Sequence, residues 1–171
     1  MTKPNFVTCD LLDANPECQV CAPNMEGKRF FGYGGHSSFG GEVVTVKCFE
    51  DNSRVKELLA TNGKDENGNG KILVVDGGAS MRCALLGDMI AQSAVDNGWA
   101  GVIVYGCVRD VDDMGQMALG VQALGSIPRK SNRQGMGEVG VSLQFGSMTV
   151  NNGDFIYADN NGMIVSQKAL I

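Results

Sequence analysis

The stretch from residue 71 to 113, KILVVDGGASMRCALLGDMIAQSAVDNGWAGVIVYGCVRDVDD, constrains the fold more than any other part of the chain. An apolar run over 72–75 turns at Asp76-Gly77-Gly78. A helical pattern follows from about 86 to 97 and stops at Gly98. A second apolar run, 102–105, leads into Gly106-Cys107-Val108-Arg109-Asp110. Strand, helix and strand at this length predict a βαβ unit with parallel strands and a right-handed crossover. Leu86, Ile90 and Ala94 recur at four-residue spacing with Ala91 and Val95 beside them, while Asp88, Gln92 and Asp96 fall on another face, so one side of the helix packs on the sheet. Ligands in open α/β sheets gather beyond the carboxyl ends of such strands. Those ends carry Asp76-Gly77-Gly78, Gly87-Asp88 and Arg109-Asp110, and the site is expected there.

The rest of the chain reads as one mixed α/β domain over residues 1–171. Residues 5–14 predict a short helix with Thr8 as its N-cap, and the following PECQVCAPNMEG reads as loop. The glycine-rich run 32–41 precedes an alternating strand, 42–49, and reads as a tight connection where side chains do not fit. Ser53 is placed as the cap of a helix carrying Val55, Leu58 and Leu59 and closed by Gly63. After Asp113 come a short polar helix-like turn and an apolar segment, 119–127. From Gly140 strands alternate with turns, with Asn152-Gly153 and Asn161-Gly162 as hairpin signals, so the C-terminal third predicts an antiparallel meander.

Composition enters mainly to exclude. A net charge of −5 argues against binding along a phosphate backbone, and no apolar run approaches membrane-spanning length. The basic cluster Arg129, Lys130 and Arg133 reads as a solvated turn after Pro128. The first residues lack the apolar core of a signal peptide, so six cysteines in a chain of this size are expected as reduced thiols in the cytoplasm. Cys18 and Cys21 form a single CxxC. A structural zinc site needs four ligands, and only the distant His36 could add to the pair, so neither zinc nor a thioredoxin-type redox role is expected. His36 reads as a loop hydrogen-bonder.

Gly87-Asp88 opens the crossover helix, whose first N–H groups are unpaired and suited to anions. The backbone amides of Gly87, Asp88, Met89 and Ile90 are candidates for holding an anionic substrate; equally, Asp88 could simply cap its own helix. Arg109 offers a planar fork for a carboxylate. Asp110 offers a hard oxygen ligand for Mg2+ or Mn2+, although Asp112 and Asp113 would serve a generic metal argument as well.

Gly87-Asp88, twenty intervening residues and Arg109-Asp110 resemble the signature of the class II 4-hydroxy-4-methyl-2-oxoglutarate aldolases, in the RraA-like superfamily that also holds the regulators of ribonuclease activity. The likeness extends through SFGGEVVTVKCFEDN, NGWAGVIVYGCVRDVDD and GMGEVGVSLQFGSMTVNNGDFIYADNNGMIVS. It implies a β/β/α sandwich assembled as a homotrimer, with active sites at subunit interfaces. It also implies roles. The amides of residues 87–90 hold an oxo-acid substrate, Arg109 binds its carboxylate, Asp110 ligates the divalent metal, and Asp88 orients a water on it. The implied activity is retro-aldol cleavage of 4-hydroxy-4-methyl-2-oxoglutarate and 4-carboxy-4-hydroxy-2-oxoadipate to pyruvate. Oxaloacetate decarboxylation through the same enolate goes with it. Some family aldolases add an acidic residue from the neighbouring subunit's C-terminal segment, and here no acidic residue follows Asp159. The competing reading is a non-catalytic trimer that inhibits an RNA-degrading endonuclease or its helicase.

Overall fold

The expected βαβ unit forms the centre of the molecule. In the computed structural model, which describes residues 6–22 and 28–171, the chain begins with α1 (Thr8–Ala14), the two-residue strands β1 (Gln19–Val20) and β2 (Phe31–Gly32), and the long β3 (Phe39–Lys47). Next come α2 (Ser53–Leu59), β4 (Ile72–Asp76), β5 (Ala84–Leu86), α3 (Asp88–Asp96), β6 (Gly101–Val108), α4 (Val111–Met114) and β7 (Gly120–Ser126). The C-terminal part holds β8 (Glu138–Val139), β9 (Leu143–Phe145), β10 (Met148–Val150), β11 (Phe155–Asp159) and β12 (Gly162–Ser166).

Strands β3, β4, β6 and β7 are parallel neighbours, in register from Val43↔Ile72, Ile72↔Gly101 and Gly101↔Gly120. All five residues of β4 are buried, because layers cover both faces of the sheet. Leu73 and Val75 of β4, with Val102 and Val104 of β6, join Leu59 of α2 and Ile90, Ala91 and Ala94 of α3 in one core. The alternate residues Ile72, Val74 and Ile103 point the other way, into a second core with Phe145, Val150, Ile156 and Met163. The period of two along each strand thus sorts one apolar run into two cores and yields a β/β/α layering. The mixed α/β class read from the sequence is the observed one.

β3 serves both layers. Its first half pairs antiparallel with β11, from Phe39↔Ala158 to Glu42↔Phe155, and its second half pairs parallel with β4. At the switch, a Cβ on Gly40 would lie 2.4 Å from the Tyr157 ring, and one on Gly41 would lie 2.4 Å from the carbonyl oxygen of Gly70. Only glycine lets the strand pass. Gly34 and Gly35 are similar, since a Cβ on either would strike the carbonyls of Leu119 and Met117. The glycine-rich run is therefore a close backbone connection, as its sequence suggested.

Several expectations need correction. Thr8 is the first helical residue and Val7 the N-cap; the Thr8 N–H and hydroxyl instead donate to the buried Asp159 carboxylate. That latch ties α1 to the end of β11. Residues 16–22 are not all loop, because Gln19 and Val20 pair with β12; residues 5 and 23–27, within the stretches expected as helix and loop, lie outside the described residues. Asn52, not Ser53, caps α2, while Asp51 accepts the N–H groups of Ser53, Gln134 and Met136. Leu86 belongs to strand β5 rather than to the helix, which starts at Asp88 because Gly87 is extended (φ −132°, ψ −172°). The meander is interrupted. β9 and β10 pair only with each other, around the left-handed Gly146-Ser147 turn, so Asn152-Gly153 joins strands that are not partners. Register Asp159↔Gly162 makes Asn160-Asn161, not Asn161-Gly162, the turn between β11 and β12.

Candidate active site

Two short segments meet at the carboxyl edge of the sheet. β5 runs parallel to β6 in the register Leu86↔Val108, and the Arg109 N–H donates to the Leu86 carbonyl (2.9 Å). The pairing therefore sets Gly87-Asp88 beside Arg109-Asp110, which is what a separation of about twenty residues through one helix and one strand allows. Gly87 is the N-cap of α3, and a Cβ there would sit 2.8 Å from Asp110 Oδ2 and 3.3 Å from Arg109 Nε. The missing side chain leaves room for the Asp110 carboxylate against the head of α3.

The carboxylates already sit on the helix head. The Asp88 N–H donates to Asp110 Oδ2 (3.1 Å), and the Met89 N–H donates to Asp88 Oδ1 (2.8 Å). Two of the four amides expected to hold substrate are thus engaged by the chain's own anions, which demonstrates how the N-terminus of α3 attracts negative charge. Asp88 caps the first turn without being the N-cap. Arg109 and Asp110 are each about one-third exposed. Although adjacent side chains of an extended backbone point to opposite faces, Arg109 Nε lies 3.7 Å from Asp110 Oδ2. The cause is the backbone. Asp110 adopts the left-handed conformation (φ 54°, ψ 43°), which turns its carboxylate back toward α3. Left-handed non-glycine residues also follow β3 (Glu50, φ 56°) and β4 (Ala79, φ 58°), so three strands end in a backbone that costs energy to hold. Such strain is typical of functional edges.

Sequence reasoning missed the support behind Arg109, whose Nη1 lies 3.5 Å from the Pro128 carbonyl. It also missed how the basic segment runs. Arg129 accepts the Ala84 N–H, Lys130 bridges to Ala84, and Arg133 donates to Asn52, so this is an extended strip along β5 and α2, not a free turn. No pattern of residue types signals either contact. On the outer side of Asp88 an open groove of about 760 Å³ runs past Met89, Gln92 and Val95 to Asp113 and Met117. A more enclosed cavity lies on the opposite face of the sheet, away from Arg109 and Asp110. The candidate site is marked by the convergence of its residues and not by the more enclosed hollow.

The remaining candidates lie elsewhere. His36 bridges to Gly120 at the amino end of β7, the opposite edge of the sheet. Cys18 and Cys21 flank β1, so extended backbone holds their Cα atoms about 10 Å apart, too far for a shared bond. Burial pushes the Cys21 thiol up to about 11, and burial together with the nearby Asp51 and Asp76 pushes Cys48 up to about 12. Cys83 and Cys107 are raised by burial as well. None of these four is a ready nucleophile. Among the described residues no group of three or more His, Cys, Asp or Glu side chains converges as a metal cage. Among them, too, no helix is long and apolar enough to cross a membrane.

A family model described as RraA-like, aldolase/RraA, matches residues 8–165. A protein of Acinetobacter baylyi, provisionally named a 4-hydroxy-4-methyl-2-oxoglutarate aldolase, is 61% identical over 97% of this chain and 96% of its own. One of the same provisional name from Pseudomonas aeruginosa is 55% identical over 97% of both chains. The RNA-processing inhibitor RraA from Thermus thermophilus superposes with a TM-score of 0.87 at 38% identity, covering 96% of this chain and 94% of that one. A structure named as an S-adenosylmethionine:2-dimethylmenaquinone methyltransferase, from Geobacillus kaustophilus, superposes at 0.88 with 43% identity, over 96% and 97%. The chain belongs to the RraA-like family.

Proposed function

We propose that this chain is a divalent-metal-dependent lyase that cleaves 4-hydroxy-4-methyl-2-oxoglutarate, and 4-carboxy-4-hydroxy-2-oxoadipate, to pyruvate, and that decarboxylates oxaloacetate at the same site. One observation carries the reading: the Asp88 amide, the Asp110 carboxylate and the Arg109 guanidinium meet within hydrogen-bond or ion-pair distance across a glycine whose Cβ would press on the Asp110 carboxylate. Relatives that share almost the full length and carry an aldolase name support it. Family names alone would not decide, because an inhibitor and a methyltransferase name occur on the same fold.

The chemistry follows from the groups present. Arg109 binds the carboxylate next to the oxo group in a bidentate fork, and free amides at the head of α3 take the remaining negative charge. As the water at Asp88 takes the 4-hydroxyl proton, the C3–C4 bond breaks; its electron pair passes into the pyruvate enolate, and C4 becomes the new carbonyl. In oxaloacetate the departing CO2 leaves the same enolate. Asp88, half-buried at the groove, relays a proton through water to the enolate carbon. Asp110 fits the metal. Mg2+ or Mn2+ keeps most of its waters and needs few carboxylates, so a single accessible hard oxygen ligand suffices where no protein cage exists. When bound, such a cation supplies positive charge that lowers the energy of the enolate.

The site is open on one side, in keeping with a homotrimer in which a second subunit closes it. A coupled pyruvate-release assay on oxaloacetate and on 4-hydroxy-4-methyl-2-oxoglutarate, with and without Mg2+, tests the proposal. Pyruvate should appear faster than in protein-free buffer of the same Mg2+ content, and only when the metal is present; no release above that background at millimolar substrate would overturn it. The likeness to an RNA-processing inhibitor favours one second reading, an acidic protein that binds basic segments of an endonuclease or its helicase. That binding should weaken with salt and survive loss of Asp110, whereas turnover should do the reverse.

A further inference from the structure

A cavity of about 460 Å³ lies on the far side of the sheet. It is separated from Arg109 and Asp110 by the sheet itself. Tyr105, which lines it, packs with the core facing away from α3, whereas Val102 and Val104 of the same strand pack against the helices. The volume is that of a small-molecule pocket.

Its lining is specific. Gln122 is only 6% exposed, and its Nε2 donates to the Asp159 carbonyl (3.1 Å). A carbonyl only accepts, so the end of the amide facing Asp159 is the NH2 and the other end is the oxygen. That oxygen has no partner among the described residues, and no fully enclosed side-chain polar atom lacks one. Since Gln122 lines the cavity, its free acceptor opens into it. Phe30 and Tyr105 line the same space with ring centroids 6.2 Å apart, and Phe145 is stacked behind Tyr105 at 4.8 Å. At the mouth the Arg29 guanidinium lies over the Phe31 ring at 4.6 Å, and among the described residues no carboxylate pairs with it. The one carboxylate in the lining, Asp159, is turned onto Thr8 and Asn161. Cys21 also borders the cavity, but burial keeps it a thiol.

We infer that this cavity binds a planar aromatic acid: the ring lies against Phe30 and Tyr105, a hydroxyl or N–H donates to Gln122 Oε1, and the anionic group meets Arg29. Each part answers one group on the wall. Flat rings pack on aromatic faces, a nearly buried acceptor without a described donor asks for one, and a guanidinium that pairs with no described carboxylate asks for an anion.

The test is titration calorimetry on the full chain with 4-hydroxybenzoate, benzoate and phenol as probes. 4-Hydroxybenzoate should bind, with benzoate weaker by about two- to tenfold for lack of the donor and phenol weaker by at least as much for lack of the anion. Gln122→Met and Arg29→Met should each reduce 4-hydroxybenzoate affinity by about fivefold or more. Arg29→Met lies at the surface and guards against reading a folding defect in Gln122→Met as lost binding. Asp110→Asn should leave the affinity unchanged. Any of three results overturns the inference: no heat with 4-hydroxybenzoate up to about 10 mM, wild-type affinity in the folded Arg29→Met and Gln122→Met variants, or loss of binding in Asp110→Asn. The last would place the ligand in the lyase site instead.

Discussion

Gly87→Ala is the sharpest probe of the site, because the two costs it could carry separate cleanly. The backbone at Gly87 (φ −132°, ψ −172°) is ordinary extended chain that alanine adopts without strain. Alanine is a poorer N-cap than glycine by about 1 kcal/mol, but it narrows the unfolded ensemble by about 0.4–1 kcal/mol, so the net effect on stability is small. For a chain of this size that means a Tm shift of no more than about 2–4 °C. The new methyl group, however, would stand 2.8 Å from Asp110 Oδ2, against an ordinary contact of about 3.4 Å. The carboxylate must therefore retreat by about 0.6 Å, and Arg109 Nε, at 3.3 Å, has no slack to follow. A misplacement of 1 Å costs on the order of a hundredfold, so kcat/KM for pyruvate release should fall by about tenfold or more. Steady-state assay on oxaloacetate with Mg2+, beside thermal denaturation, reads both numbers. Activity within twofold of wild type at unchanged Tm would refute the argument that the placement of Asp110 matters. Loss of activity together with a large drop in Tm would show that Gly87 serves the fold instead.

Asp110→Asn should keep the fold, since asparagine tolerates the left-handed backbone at 110, and should abolish both metal-dependent turnover and the rise in Tm expected of the wild type with Mg2+; a Mg2+ response equal to that of the wild type would refute the ligand assignment. Arg109→Lys keeps the charge but loses the fork, so kcat/KM should fall by about tenfold to a hundredfold, and near-normal turnover would make Arg109 structural. Acid should destabilise the protein through two buried carboxyls. Burial raises Asp51 and Asp159, but the hydrogen bonds from Ser53, Gln134 and Met136 to the first, and from Thr8 and Asn161 to the second, outweigh it and leave both below the ordinary carboxylate value. Their stabilisation is complete above the unfolded value of about 3.9 and is lost as pH falls through the lower folded values. Urea midpoints between pH 5 and pH 2.5 should therefore fall steeply, and less so in Asp51→Asn/Asp159→Asn; an identical slope in that variant would refute it.

The parallel unit was legible because its strands are buried on both faces and so carry unbroken apolar runs, as at 72–75. Its helix start was not. Leu86 keeps the four-residue spacing with Ile90 and Ala94, yet it pairs with Val108 as strand, since spacing cannot report a backbone that stays extended through Gly87. The hairpins show the limit of turn chemistry. Asn152-Gly153 has the residues of a two-residue turn but joins β10 to β11, whose partners are β9 on one side and β3 and β12 on the other. The real left-handed turn is Gly146-Ser147, where serine gives no warning. At the site, residue types suggested an anion at α3 and a cation near Asp110, while the assignment of roles came from family resemblance. The fold of Asp110 back onto the Asp88 amide depends on one pair of backbone angles and leaves no trace in composition or period.

That contact bears on how the two readings of the chain divide. The Asp110 carboxylate answers the positive end of α3 beside that of Asp88, and the same oxygen, Oδ2, lies within reach of Arg109. A hard cation taking Asp110 as its ligand would draw on the group that now fills the helix head. The Asp88 N–H would then be free for the carboxylate of a substrate, so metal and substrate should favour each other's binding, as linkage requires of any two ligands released from one internal competitor. A protein that acted only by presenting an acidic surface to a basic partner would gain nothing from a strained Asp110, a glycine without room for a methyl group, and an arginine braced on a proline carbonyl. Charge alone serves that purpose, and charge needs no left-handed backbone. Strain held at this edge is what the proposed lyase chemistry would use.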